Sequence, residues 1–221
     1  MTQGRTASLL VIILFLSACG SQIHHFVRKG ETLYSISYYY GVDYHDVARW
    51  NHIQPPYVIA PGQRLRVAPP AGEAQQAGRP VTVPAESKTV VSRPPATPDP
   101  AQWRWPAPGK LVGTFSTGGS SNGIDISNRE GTPIRATASG KVVYAGRGLS
   151  RYGNLVIIKH SGKYLSAYAY NKKLFVSEGE QVNGGQIIAE MGRNPANRAM
   201  LHFEIRAYGQ PVDPKEFLSD R

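Results

Sequence analysis

The sequence predicts a small α+β domain, a proline-rich linker and a larger all-β domain, in that order. Apolar residues recur at helical spacing between residues 32 and 51. Prolines then crowd residues 68–102, at positions 69, 70, 80, 84, 94, 95, 98 and 100. Beyond residue 103, short β-branched runs alternate with glycine-containing turns. That alternation is typical of a compact antiparallel barrel or sandwich.

The amino terminus has the pattern of an export signal. Arg5 precedes the apolar run ASLLVIILFLS (7–17), which is too short to span a bilayer. The segment LSAC (16–19) then leads to Cys19, the only cysteine of the chain. It resembles a bacterial lipoprotein signal, which implies removal of residues 1–18 and attachment of acyl chains such as palmitate to Cys19. Gly20, rather than aspartate, implies the periplasmic face of the outer membrane; an ordinary secretory signal with an incidental cysteine is the alternative.

Residues 23–67 have a β-α-α-β pattern. A short strand in HFVR (25–28) leads to a first helix, with Thr32 as its N-cap and Gly41 as its stop. Leu33, Ile36 and Tyr40 share one face of that helix, Asp43 caps a second helix, and residues 61–67 turn into a closing strand.

With GETL (30–33), the Trp50-Asn51 pair and the closing PGQRLRV (61–67), this segment resembles a LysM domain. The resemblance implies binding to peptidoglycan glycan strands through the loops after the first strand and before the last. The implied contact residues are Gly30, Thr32, Leu33, Tyr34, Tyr57 and Ile59. Tyr34 and Tyr57 suit apolar sugar platforms, although surface packing is the alternative for each ring.

Residues 68–102 lack periodicity and bury too little apolar surface to fold, so they predict a disordered linker before a domain at 103–221.

The chain carries 25 Lys and Arg against 15 Asp and Glu, a formal charge of +10. In an exported protein this charge favours anionic partners such as the cell wall. Nucleic acid is excluded by the compartment and by the lack of a nucleic-acid-binding motif.

Five strand-like runs characterise the large domain: KVVYAG (141–146), NLVIIKH (154–160), YLSAYAY (164–170), QIIAEMG (186–192) and MLHFEIR (200–206). Together with GIDI (123–126) and EGTPIRATASG (130–140), they resemble, across 109–218, the LytM or lysostaphin-like family of zinc metallopeptidases. The fold this implies is a hybrid of barrel and sandwich.

Active members of that family bind zinc through His-x-x-x-Asp and the second histidine of His-x-His. The first histidine of that pair and another in Tyr-Ala-His assist the attacking water. Here those positions hold Ser121, Tyr170 and Met200, and only Asp125 and His202 remain. A serine hydroxyl is a poor zinc ligand, and neither Met nor Tyr shuttles protons near neutral pH. The sequence therefore predicts no catalytic residue, no bound metal and no cofactor.

A degenerate LytM domain joined to LysM and a lipid anchor resembles the NlpD/EnvC class of cell-wall factors. That class implies a non-enzymatic activator of periplasmic N-acetylmuramoyl-L-alanine amidases, acting in wall hydrolysis and daughter-cell separation. The predicted partner-binding cleft consists of Ser121, Asp125, Tyr170, Met200 and His202, with basic loop residues around it (Arg147, Arg151, Lys172, Lys173, Arg193 and Arg198). A solvated rim is the alternative for these basic residues. A zinc endopeptidase with an unusual metal site and a passive peptidoglycan-binding tether remain as alternatives.

Overall fold

The computed structural model describes residues 23–70, 103–117, 121–149, 151–160 and 163–219. The predicted signal peptide, Cys19 and nearly all of the predicted linker lie outside these residues. Within them, no helix has both the length and the apolar character needed to cross a membrane.

The amino-terminal region confirms the predicted β-α-α-β order. Strand β1 (His24–Phe26) pairs antiparallel with β2 (Arg64–Arg66), and helices α1 (Leu33–Tyr40) and α2 (Tyr44–Trp50) lie between them in sequence. The core of this region is formed by buried apolar side chains of both helices and of β2, among them Leu33, Ile36, Val47 and Leu65.

The predicted helix boundaries are also confirmed, and each is set by residues within a few positions of the helix end. Thr32 Oγ1 accepts a hydrogen bond from the Ser35 amide, and Ser35 Oγ accepts one from the Thr32 amide, which forms a capping box. Helix α1 ends at Gly41, whose φ of 67° is left-handed. The Asp43 side chain caps α2 by accepting from the His45 amide.

The carboxy-terminal region is built from strands, as predicted. They are β3 (Lys110–Gly113), β4 (Ile124–Ser127), β5 (Pro133–Arg135), β6 (Gly140–Gly146), β7 (Asn154–Lys159), β8 (Tyr164–Leu174), β9 (Gln181–Val182), β10 (Ile187–Arg193), β11 (Ala199–Ala207) and β12 (Gln210–Val212). A 3-10 turn over Pro214–Glu216 follows β12 near the carboxy terminus.

Among the described residues these strands form one antiparallel sheet, ordered β3-β4-β11-β10-β8-β7-β6-β9, with β12 on β11 and β5 on β10. The long strand β8 is central because it pairs with β7, β10 and also β11. The sheet encloses a core that includes Trp103, Ile124, Tyr168 and Phe203. This core holds the three strands β4, β11 and β8 in fixed register.

The helical region packs directly on the sheet. Tyr38 of α1 is buried in a cluster with side chains of β6, β7 and β8. Thr32 Oγ1 donates to the carbonyl oxygen of Val143 at 3.2 Å, and Gln210 Nε2 donates to the carbonyl oxygen of Gly41 at 2.7 Å. Helix α1 therefore has a second buried face besides the predicted one, and that face meets the β region.

Candidate functional site

Cross-strand register places two of the predicted cleft residues side by side. On β11, His202 lies opposite Asp125 of β4 on one side and Ala169 of β8 on the other. A cavity of about 330 Å³ opens above this point. We call it the cleft; its lining residues are Ser121, Asn122, Asp125, Arg151, Tyr152, Tyr170, Asn194, Met200, His202 and Glu204.

The alternation of side chains along β11 builds a chain of charges. His202, Glu204 and Arg206 are two residues apart and therefore lie on the same face of the strand. The His202 ring contacts Asp125 Oδ1 through Nδ1 at 2.7 Å and Glu204 Oε1 through Nε2 at 3.1 Å. Arg206 donates to Glu204 Oε2 from Nε and Nη2, at 3.0 and 2.9 Å.

These contacts decide the charge state of the cleft. Burial alone would lower the pKa of His202, but the hydrogen bonds and charges of Asp125 and Glu204 outweigh it and raise that pKa to about 9. Burial would likewise raise the pKa of Glu204, but the hydrogen bond from His202 and the charge of Arg206 hold it below its usual value. At neutral pH His202 is therefore an imidazolium that donates from both ring nitrogens.

The chain of charges ends at the helical region. Arg206 Nη1 donates to the Tyr38 carbonyl oxygen at 2.8 Å, and the guanidinium carbon lies 3.8 Å from the centre of the Tyr38 ring. Because Arg206 is only 3% exposed and Glu204 only 1%, the two charges are desolvated and depend on each other. The cleft and α1 are thus joined through side chains of a single strand.

Two of the three substituted side chains, Ser121 and Met200, have polar partners within the protein. Ser121 Oγ donates to the Gly123 carbonyl oxygen at 3.0 Å. Met200 is buried, and its Sδ accepts from Asn194 Nδ2 at 3.3 Å. Tyr170 has a φ of 62°, and its ring centre lies 6.0 Å from that of His202. Burial raises the pKa of Tyr170, so the phenol stays neutral and lends the cleft an amphipathic wall.

Gly123 allows two strands to approach each other closely. A Cβ added to Gly123 would overlap the Phe203 carbonyl oxygen and lie 2.9 Å from Glu204 Cγ. Glycine at this position lets β4 approach β11, which brings Asp125 into hydrogen-bond distance of His202. The residue is needed for strand packing.

A second cavity, of about 400 Å³, lies where the helical region meets the sheet. We call it the interdomain groove. One wall consists of Glu31, Thr32, Tyr34 and residues 56–59; the other consists of residues 141–143, Lys159, Glu178 and Gly179.

Four of the six predicted glycan-binding residues line the interdomain groove: Thr32, Tyr34, Tyr57 and Ile59. Gly30 forms the preceding turn, with a φ of 82°. Leu33 differs from the others because its side chain is wholly buried in the core of the helical region, so only its backbone is left for a ligand. As the first residue of α1 it lies on the inward face of the helix.

Each of the two regions matches a known protein family. Residues 25–68 match the LysM domain, and residues 119–214 match Peptidase family M23. A lipoprotein NlpD/LppB homolog from Pseudomonas aeruginosa is 43% identical over 89% of this chain and 77% of its own length. The chain belongs to the NlpD family. The family resemblance predicted from the sequence is confirmed.

Other members of the NlpD family are nearly as similar. The lipoprotein YgeR of Escherichia coli is 41% identical over 87% of this chain and 79% of its own length. The protein named murein hydrolase activator NlpD, from the same species, is 35% identical over 88% and 67%. A crystal structure described as an M23 peptidase from Pseudomonas aeruginosa superposes with a TM-score of 0.51 at 27% identity, covering 57% of this chain and 53% of its own.

The residues in the cleft of this NlpD-family chain do not fit a catalytic zinc. Such a site takes three protein ligands and a water. Asp125 and His202 are the family positions that remain, and both His202 nitrogens are engaged by carboxylates. Glu204 is held by Arg206. No group of three or more His, Cys, Asp or Glu side chains arranged for a metal occurs within the described part of the chain.

Four further residues that the sequence does not predict also line the cleft: Asn122, Tyr152, Asn194 and Glu204. Glu204 had a usable signal, because HFEIR alternates polar and apolar residues and sets His202, Glu204 and Arg206 on one face. Of the predicted basic residues, Arg151 lines the cleft. Lys172 and Lys173 lie within β8 rather than in a loop, since this strand extends four residues beyond Tyr170. Lys172 and Arg193 both pair with Glu130, at 3.1 and 2.6 Å.

Proposed function

We propose that this protein is a non-catalytic, lipid-anchored cell-wall factor that binds peptidoglycan and activates periplasmic N-acetylmuramoyl-L-alanine amidases. Under this proposal, residues 1–18 are removed and Cys19 carries the lipid anchor at the outer membrane. Residues 23–67 bind peptidoglycan, residues 68–102 serve as a linker, and residues 103–221 bind the amidase. A relative named murein hydrolase activator supports the general role.

One observation carries the proposal: the position that would bind zinc is occupied by an internal charge network. His202 donates to Asp125 and Glu204, and Arg206 completes the charge balance. A metal could bind His202 only by displacing a proton that two carboxylates hold in place, and Ser121 points its hydroxyl at a backbone carbonyl. Without a metal-bound water or a neutral imidazole base, the cleft has no hydrolytic nucleophile.

The cleft offers the features of a docking site instead. Tyr152 and Tyr170 present aromatic faces near His202, with ring centres 6.2 and 6.0 Å from it. Met200 forms an adaptable floor, and Arg151 adds an exposed cation at the rim. Such a surface suits a partner helix that carries apolar residues and an acidic group. Binding this helix would shift the partner amidase from its closed to its open population.

The test is dye release from labelled peptidoglycan by purified amidases, with and without the soluble protein. We expect no release by this protein alone and a clear increase when it is added to its amidase partner. Arg151→Glu should weaken the increase, whereas Arg129→Glu, an exposed charge reversal outside the cleft, should leave it unchanged. Release by the protein alone, accompanied by about one bound zinc, would establish the endopeptidase instead. Wall binding without stimulation of any amidase would leave only a tether.

A further inference from the structure

One wall of the interdomain groove belongs to the β region, outside the LysM domain that is predicted to bind glycan. Strands β6 and β7 of the β region face the predicted glycan residues Tyr34 and Tyr57 across it. A hydrogen bond from Thr32 to the Val143 carbonyl oxygen, at 3.2 Å, joins the two walls. A volume of about 400 Å³ is in the range of sites that take a small ligand, so sugar rings lying on the LysM wall would also touch the β wall.

Lys159 is the residue of the β wall that meets the aromatic platform. Its Nζ lies 4.9 Å from the ring centre of Tyr44 and 5.8 Å from that of Tyr34, which is cation-π distance. The lysine is half-buried at the end of β7. Its position is therefore fixed from the helical side, although the residue belongs to the sheet.

The charge of Lys159 has no acid to pair with in the described part of the chain. Asp43 lies beyond ion-pair distance and acts on Lys159 only through its charge, and its Oδ1 accepts from the amide of His45 and contacts the His45 ring, at 2.7 and 2.8 Å. On the same wall, Lys141 has an acid nearby: burial raises the pKa of Glu178, and the charge of Lys141 partly offsets that rise. A partly desolvated cation without a counter-ion is costly and favours an anionic ligand.

We propose that the interdomain groove is a two-walled site for acid-bearing glycan, in which Lys159 pairs with a carboxylate carried on the 3-O substituent of an N-acetylated amino sugar. The inference rests on the proposed wall binding and deepens it. Peptidoglycan offers such a carboxylate in two forms: the free lactyl acid of a strand without peptides, or the acids of an attached stem peptide. A polymer of N-acetylglucosamine has neither.

The experiment measures the affinity of the full chain for three tetrasaccharides by calorimetry. One contains N-acetylglucosamine only, one alternates it with N-acetylmuramic acid, and one carries stem peptides. At least one acid-bearing ligand should bind about tenfold more tightly than the neutral one, the difference expected for one charge-assisted contact. The ligand with the higher affinity identifies the source of the carboxylate.

Three variants separate the possible outcomes. Lys159→Gln should remove the preference and retain the neutral affinity, and Lys159→Arg should restore the preference. Lys173→Gln is the matched control, because its Nζ also lies on an aromatic ring, 5.1 Å from the centre of Phe175, but outside the groove. A preference unchanged in Lys159→Gln would overturn the two-walled site and leave wall binding intact. Failure of the wild-type chain to bind any of the three ligands would overturn wall binding itself.

Discussion

The cleft and the interdomain groove differ in how their charges are satisfied. In the cleft, Asp125, His202, Glu204 and Arg206 neutralise each other over contacts of 2.7–3.1 Å. In the groove, Lys159 meets aromatic faces and has no acid within ion-pair distance among the described residues.

This difference separates two uses of a cavity. A network that is complete in itself holds strands and domains in place, and it leaves aromatic and sulfur-containing side chains for a partner to contact. An unbalanced cation on an aromatic platform instead gains stability when an anionic ligand arrives. Arg206 links the two uses, because it completes the cleft network and also holds the helix that forms one wall of the groove.

The largest effect is expected when the central carboxylate is neutralised. Glu204→Gln leaves the buried Arg206 without a counter-ion and leaves His202 with Asp125 as its single carboxylate partner. Breaking a buried pair from one side costs about 3–5 kcal/mol, so urea unfolding should show a loss of that size. Glu130→Gln is the matched control: it removes a carboxylate that also has two cationic partners but is solvent-exposed, and it should leave unfolding nearly unchanged. Equal losses in both variants would contradict the idea of a buried network.

The second effect is a pH dependence that originates in the cleft. The folded-state pKa of His202, about 9, exceeds the ordinary value of 6.5, so its stabilisation is complete below pH 6.5 and is lost as the pH rises through 9. We expect a loss of roughly 3 kcal/mol between pH 6.5 and 10, measured as the difference between wild type and His202→Gln.

His160 provides the opposite slope within the same domain. Burial lowers its pKa to about 4, partly offset by the hydrogen bond to the Ser139 carbonyl. Its contribution is therefore present above pH 6.5 and is lost as the pH falls through 4. If His160→Gln removed the alkaline slope and His202→Gln did not, the assignment of the two titrations would be reversed.

The third effect is at the contact between the two regions. Gly209 has a φ of 76°, and an added Cβ would overlap the Val42 carbonyl carbon of the helical region. Gly209→Ala should cost about 1–3 kcal/mol through this overlap and increase the radius of gyration in X-ray scattering. Gly131→Ala is the control, since Gly131 has a similar φ of 85° with open space around it. Indistinguishable scattering for the two variants would argue against a packed contact.

The smallest effect concerns a helix cap that also spans the two regions. Thr32→Ala removes the cap of α1 and the hydrogen bond to the Val143 carbonyl, so we expect a loss of about 1–2 kcal/mol in thermal or urea unfolding. Thr32→Ser keeps a hydroxyl for both contacts and should stay close to wild type. A serine variant as unstable as the alanine variant would assign the effect to the threonine methyl group instead.

Local chemistry made most of the fold predictable. Thr32, Gly41 and Asp43 act within a few residues of themselves, and the predicted helix boundaries follow from them. The strand runs were equally readable, because alternation and glycine turns are local signals. The substitutions at Ser121, Tyr170 and Met200 could be identified from the sequence, because the zinc-binding motifs are defined by the number of residues between their members.

What the sequence by itself determined is the element order, the family resemblance and the absence of three histidines from their expected positions. What the tertiary structure decided is which charges meet. Asp125 meets His202 because β4 pairs with β11. Tyr38 lies under Arg206 because the packing of α1 on the sheet brings together residues 168 positions apart. Lys159 reaches Tyr34 and Tyr44 in the same way. Such pairings depend on the whole fold, since no local pattern in the chain specifies which surfaces its two regions present to each other.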